Sequence, residues 1–273
     1  MPFATATLTE WSDIHEFARH GWLYRGQRAA DWKLMTSLEG CCVREGVSSL
    51  DRARIEQELF REFRRTYHHY AVHVPQSGVA LEWLSLMQHH GAPTRLLDCT
   101  YSIYIASYFA VEDADADAAV WAFNGPWAGR QSASRFQSAG KPANIVDKLL
   151  EPFGEGDESI FEPLFFSSPH VRLTCPLNPF RLNERLRIQK GIFLVPGSVD
   201  DSFMANLEAM PDYEDEKHLI KIIIPSSLRR QVLQGLFEMN ITRTSLFPGV
   251  DGFARSLGVY HPAFDPIDWS RSS

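Results

Sequence analysis

The sequence predicts an α+β fold, with helices clustered in the N-terminal half and packed on a mixed or antiparallel sheet. Three observations point to it. Apolar residues recur every three or four positions through residues 51–111, the period of a helix with one buried face. Later in the chain, short apolar runs bounded by Pro, Gly and Asp read as strands, chiefly Ala119–Phe123 and Leu219–Ile224. Of the 273 residues, 44% are hydrophobic and 22% charged, enough apolar material for a sizeable core. One domain over residues 1–273 is the expected organisation.

The elements follow in order. A short helix is expected from Thr9 or Ser12 to Gly21, with Trp11, Ile14 and Phe17 on one face. Trp22–Arg25 reads as a brief strand broken by Gly26, and Asp31–Leu34 as extended. Asp51 is placed to cap a long helix reaching Val74, whose buried stripe is Ile55, Leu59, Phe63, Tyr67, Tyr70 and Val74. The next helix covers Val79–His90. Gly91 is placed to end it in a left-handed cap, and Pro93 turns the chain. Ser102–Val111 is apolar nearly all round, so a buried helix is expected. An acidic loop, Glu112–Ala118, leads into the strand Ala119–Phe123. Residues 124–181 are punctuated by Gly, Pro and Ser, and a variable insertion is expected there, with one helix at Asn144–Phe153. A strand within Arg187–Val195, an acidic loop at Pro211–Glu216 and the strand Leu219–Ile224 come next. A helix from Ser226 to Met239 and a turn with a short helix over Leu246–Leu257 complete the chain.

The formal net charge is −7, so bulk electrostatics do not favour a nucleic-acid partner, although a local basic groove is compatible with it. The four cysteines, Cys41, Cys42, Cys99 and Cys175, form no CxxC pair, so reduced thiols and no zinc are expected. The N-terminal stretch lacks a basic start and a long apolar run. No signal peptide, no membrane contact and a cytoplasmic location are the expectations.

Three segments carry chemistry. In Tyr24-Arg25-Gly26-Gln27, an arginine at a strand end beside a glycine suits a phosphate; the plainer reading is a surface ion pair. In Gln88–Thr100, a histidine pair meets Thr94, Arg95 and Asp98 across a Gly-Pro turn. These groups either converge on a ligand, or Asp98 caps the following helix with Arg95 as its partner. Gln189 orients a ligand amide or satisfies a turn. No GxSxG, P-loop or GxGxxG pattern is present, which disfavours serine hydrolases, P-loop nucleotidases and Rossmann oxidoreductases.

Taken in order, these segments resemble the FRG domain family. The family's Phe-Arg-Gly start corresponds to Tyr24-Arg25-Gly26, its Trp-x-Leu stretch to Trp32-Lys33-Leu34, and its long signature to Gln88–Thr100. Its Gln-x-Gly-x-Phe and Leu-Phe-Pro motifs correspond to Gln189–Phe193 and Leu246–Pro248. His90 and Cys99 stand where the family usually has aromatic rings. The Tyr-Arg-Gly strand end is also similar to the first motif of arginine-type ADP-ribosyltransferases, although their Glu-x-Glu motif has no counterpart here. That resemblance implies an ADP-ribosyltransferase-like fold with NAD as substrate and no metal. It makes Asp98 and His90 catalytic, with Asp251 as a second carboxylate, and it gives Arg25, Gly26, Gln27, His89, Thr94, Arg95 and Gln189 to NAD. The acceptor would be a nucleic-acid base or a protein side chain, and the biological setting a toxin or phage-defence effector. A single strand would approach past Arg61, Arg64 and Arg65. The alternative is a non-catalytic ligand- or partner-binding module of a bacterial defence system, in which the polar motif is a buried hydrogen-bond network. A metal-dependent hydrolase rests only on the histidines.

Overall fold

Seven strands build one sheet. They are β1 (Ala4–Thr7), β2 (Trp22–Gln27), β3 (Leu97–Thr100), β4 (Ala118–Asn124), β5 (Thr174–Leu177), β6 (Gly191–Pro196) and β7 (Leu219–Ile224), in the spatial order β1-β7-β4-β2-β3-β6-β5. Only the β1–β7 pair is parallel, so the sheet is mixed, as the α+β expectation allows. The computed structural model describes residues 3–71, 74–76, 78–150, 157–181 and 183–259. The expected domain runs beyond them to residue 273.

Strand alternation sends side chains to two faces. On one face Tyr24, Val120, Ala122, Ile220 and Ile222 pack under α4 (Ile103–Val111) and the helix Arg229–Glu238. Further along the same face, Cys175, Leu177, Phe193 and Val195 pack against α3 (Ala80–His89) and aromatic residues between 127 and 166. The other face buries Leu23, Leu97, Cys99, Trp121, Phe123, Ile192 and Leu194 with Phe203 and Leu207.

Several elements depart from expectation. β1 and α1 (Ser37–Arg44) were not legible; Thr36 caps α1, its hydroxyl accepting from the Glu39 N–H at 3.2 Å. The first helix is a 3-10 helix, Trp11–Phe17, that stops well before Gly21. The described part of residues 124–181 forms α5 (Gly125–Ser138), capped by Asn124, then short helices and the edge strand β5, and it buries Trp127, Phe136, Phe161 and Phe165. The expected helix Asn144–Phe153 is a short helix, Ala143–Val146, followed by a 3-10 turn to Leu150; its last part lies outside the described residues. Ser226 opens a 3-10 turn, and the helix proper starts at Arg229.

The long helix α2 (Arg52–Thr66) turns its expected stripe inward: Ile55, Leu59, Phe63 and, at its end, Tyr67 are partly buried and pack against the core. Its most deeply buried residues, Glu56 and Phe60, lie beside that stripe, while Tyr70 and Val74, beyond its end, are exposed. Asp51 makes no side-chain cap and instead receives Arg54 at 3.4 Å. Glu56 is held inside by Arg95, which is 1% exposed and forms a bidentate pair with it: Nε donates to Oε1 at 2.6 Å and Nη2 to Oε2. Nη1 donates to the carbonyls of Phe165 (3.2 Å) and Pro196 (3.4 Å).

Removing one partner of a buried pair leaves an uncompensated charge, at about 3–5 kcal/mol. Arg95→Ala and Glu56→Ala should each lose stability on that scale in denaturant melts. The double apolar replacement Glu56→Leu/Arg95→Met should recover most of it. An Arg95→Ala protein as stable as the parent would refute the anchoring role.

Candidate functional site

A furrow opens where β2 and β3 part. β2 and β4 pair along their full length, from Trp22 with Asn124 to Gln27 with Ala119. β2 and β3 share one registered pair, Tyr24 with Thr100. Beyond it the Arg25 guanidinium spans the gap, its Nη1 donating to the Asp98 carbonyl at 2.7 Å. Its Nε is buried and has no partner.

Register with Thr100 and Phe193 puts Asp98 on the face that carries the helices. α4 covers the sheet on one side of it and α3 on the other, and neither reaches across. Asp98 is therefore exposed between buried Leu97 and Cys99. Three adjoining cavities share it. One of about 200 Å³ is lined by Arg25, Gly26, Thr100, Phe109, Arg185 and Gln189 among others. A smaller one of about 50 Å³ reaches Ser85, Gln88, His89 and Asn183. A third of about 200 Å³ runs past Arg25 to Met35, Ser37 and Gly91.

Local structure holds the walls. α3 ends in a Schellman motif: the Ala92 N–H donates to Met87 O at 2.9 Å and Gly91 to Gln88 O at 3.0 Å, with Gly91 at φ 81°. This is the left-handed cap the sequence predicts, and it delivers His89 to the rim. On the far wall Asn183 caps the short helix Glu184–Ile188, its Oδ1 accepting from Leu186 N–H at 2.8 Å. Arg185 Nε donates to Gln189 Oε1 at 3.4 Å, and its guanidinium lies 4.9 Å from the Phe247 ring centre. Gln189 Nε2 donates to Leu246 O at 3.1 Å, which pins the Leu-Phe-Pro segment beside the furrow.

The predicted residues divide into two groups. Arg25, Gly26, His89, Asp98 and Gln189 line the furrow. Arg95 does not: all of its donors face inward, and its carboxylate partner is Glu56, not Asp98. Thr94 is fully buried, its hydroxyl donating to Gln88 Oε1 and accepting from Leu96 N–H at 3.2 Å. Gln27 is also internal, accepting from Trp121 Nε1 at 2.7 Å and donating to Lys33 O at 3.2 Å. These three are scaffold because each side chain is satisfied by the protein itself. His90 is exposed at the α3 cap, its ring 6.2 Å from Tyr67, and is not among the lining residues. Asp251 is exposed in the first turn of the helix Val250–Ser256, also apart from the lining set. Asp98 is no helix cap, since Ser102 holds that place on α4, its Oγ accepting from Ile105 N–H.

Gly26 serves packing as well as access. A Cβ there would lie 2.1 Å from Ala106 O and 2.6 Å from Ala110 N, so only glycine lets α4 seat on β2. Cys99 faces away into the opposite core, and burial pushes its thiol up to about 12. Sequence reasoning missed Arg185, Asn183 and Phe109. The available signal for Arg185 was its i,i+4 spacing to Gln189, hidden because that stretch reads as the approach to a strand.

No helix among the described residues is long and apolar enough to cross a membrane. Residues 20–119 match the FRG domain family, so this stretch of the chain is an FRG domain. The match takes in the Tyr24–Gln27 and Gln88–Asp98 motifs, and the later two motifs lie outside it. A 93-residue stretch is 29% identical to the Phosphoinositide 3-kinase adapter protein 1 of Gallus gallus, covering 34% of this chain and 11% of that protein. This chain therefore spans a small fraction of that relative. No solved structure matches it.

Burial lowers the His89 imidazole below its ordinary 6.5, and His90 and then Arg185 add repulsion. The ring is thus neutral near pH 7, and the cations beside it oppose its protonation. An NMR titration should place its midpoint below 6.5, and Arg185→Gln should raise it. An anion bound in the furrow should raise it too. A midpoint above 6.5 in the free protein would contradict this electrostatic picture.

Proposed function

We propose, taking residues 20–119 as an FRG domain, that the furrow binds NAD and transfers its ADP-ribose to an acceptor. The observation that carries this reading is convergence. Arg25, Asp98 and Gln189 come from separate segments of the chain and meet in one furrow. Grouping of charged side chains in a cleft is a usual mark of a site.

The roles follow from the chemistry. Arg25 has a free Nε, and Arg185 is a second cation nearby, so the pair suits a pyrophosphate. The Phe109 ring offers a wall for a flat heterocycle. In the transfer, the bond between ribose C1′ and nicotinamide breaks and its electron pair leaves with the nicotinamide, which becomes neutral. The acceptor's lone pair forms the new bond to C1′, and its proton passes to the Asp98 carboxylate. Between the two events C1′ has oxocarbenium character, which a carboxylate at that place stabilises. Gln189, engaged by Arg185 and Leu246, holds the far wall of the furrow in place rather than touching the acceptor.

A second reading has its own support. Much of the polar signature is consumed inside the protein: Gln88 by Thr94 and Leu96, and Arg95 by Glu56. A motif that is largely architectural also suits a module that binds without catalysing.

The two readings separate on NAD. The wild-type protein should bind NAD in calorimetry and release nicotinamide slowly without an acceptor. Arg25→Ala should weaken binding by about 1.5–3 kcal/mol, the worth of a charge-assisted hydrogen bond, while its thermal melt reports that the fold survives. Asp98→Asn should bind NAD normally and lose turnover. If the wild type fails to bind NAD, with and without nucleic-acid or protein acceptors, the binding-module reading replaces this one.

A further inference from the structure

The acceptor side of the furrow carries its own signature. The chain has a formal net charge of −7. Yet residues 178–190 hold four cations, Arg181, Arg185, Arg187 and Lys190, against the single carboxylate Glu184. All four cations are exposed. Tyr101 closes this stretch into a lip: its N–H donates to Lys190 O at 3.0 Å, and its hydroxyl accepts from Asn178 Nδ2 at 2.7 Å. Arg185, in the middle of the stretch, lines two of the cavities that hold Asp98. The lip and the furrow are therefore continuous.

Two large aromatic side chains stand out from the lip, Phe180 at 58% and Tyr101 at 45% exposure. Both lie outside the helix Glu184–Ile188, and exposed aromatics beside cations suit single-stranded nucleic acid. The cations follow the phosphates and the rings stack on unpaired bases. The groove anticipated along Arg61, Arg64 and Arg65 is less suited. Arg65 lies 3.7 Å from Glu62, and Arg64 packs over the Phe60 and Trp83 rings.

We infer that the lip formed by residues 178–190 and Tyr101 binds single-stranded nucleic acid and presents a base to the furrow at Asp98. As an assignment of the acceptor this rests on the ADP-ribose transfer reading; as a binding surface it does not.

The test is fluorescence anisotropy with labelled oligothymidylate and oligouridylate, without NAD, over a range of salt. Binding should weaken steeply as salt rises. The triple variant Arg181→Gln/Arg187→Gln/Lys190→Gln, which leaves Arg185 in place, should bind at least about tenfold more weakly at low salt, with the salt slope reduced by about 2. Phe180→Ala should weaken binding with the slope unchanged, as loss of stacking requires. Three results would each overturn the proposal: no single-strand binding at low salt, equal binding by parent and triple variant, or polyglutamate bound as tightly as the oligonucleotides. The last would point to an acidic protein partner. Nicotinamide release without an acceptor reads the transfer chemistry separately. Oligonucleotide binding without NAD turnover sinks the transfer reading and leaves the lip as a nucleic-acid surface. NAD turnover without oligonucleotide binding sinks the lip alone.

Discussion

A guanidinium shut away from water has to find all its partners inside the protein, and Arg95 sets the geometry of everything around it in doing so. It takes a carboxylate from α2, a carbonyl from Phe165 and another from the end of β6. The Phe161 and Phe166 rings lie 6.0 and 5.3 Å from it. An isolated buried charge would cost several kcal/mol, so these elements must stay assembled around it. Ile55, Leu59 and Phe63 pack α2 inward by apolar contact, and the ion pair adds a directional tie beside that stripe.

The consequence for the site is directional. With Arg95 anchored, β3 starts two residues later in a set register, and alternation does the rest. Leu97 and Cys99 turn to one core, and Asp98 and Thr100 to the other face. Thr100 is then occupied, its hydroxyl donating to Gln189 O at 2.8 Å. That leaves Asp98 as the strand residue facing outward with nothing laid over it. Gly26 supplies the matching constraint on the other side. It lets α4 sit down closely on β2, the strand that borders the furrow.

These constraints explain what could be read in the sequence. β4 and β7 are legible because each is rich in apolar residues, interrupted in β7 only by Lys221, and each is buried from both sides and paired along its length. α4 is legible because it is buried all round, and the α3 terminus because Gly91 has a single conformational purpose. The burial of Glu56 on α2 is not, since it becomes the helix's most buried residue only when paired with an arginine 39 positions away. Residues 125–181 fail for a different reason. Some of their core side chains sit on pieces too short to show a period, such as Ala143–Val146 and Asp157–Phe161, and the longer α5 is masked in sequence by Gly125, Pro126 and Gly129 in its first half. Within the site, Arg25, Asp98 and Gln189 were legible from motif and glycine context. Thr94, Arg95 and Gln27 look the same in sequence and are internal, because a polar residue in a motif serves scaffold and ligand through the same hydrogen bonds.

The electrostatics of the furrow favour one kind of ligand. A single exposed carboxylate, Asp98, shares its cavities with the guanidinium groups of Arg25 and Arg185, and with the His89 ring, whose protonation is disfavoured by partial burial and by repulsion from His90 and Arg185. A simple anion would gain from the guanidinium groups but meet the carboxylate; a simple cation would meet the reverse. A molecule with negative charge at one end, and positive charge present or developing a few bonds away, satisfies both at once. The neutral imidazole matters here, because a third cation would tilt the furrow toward plain anions. The NAD proposed above has that charge pattern, and so does the transition state of the proposed transfer.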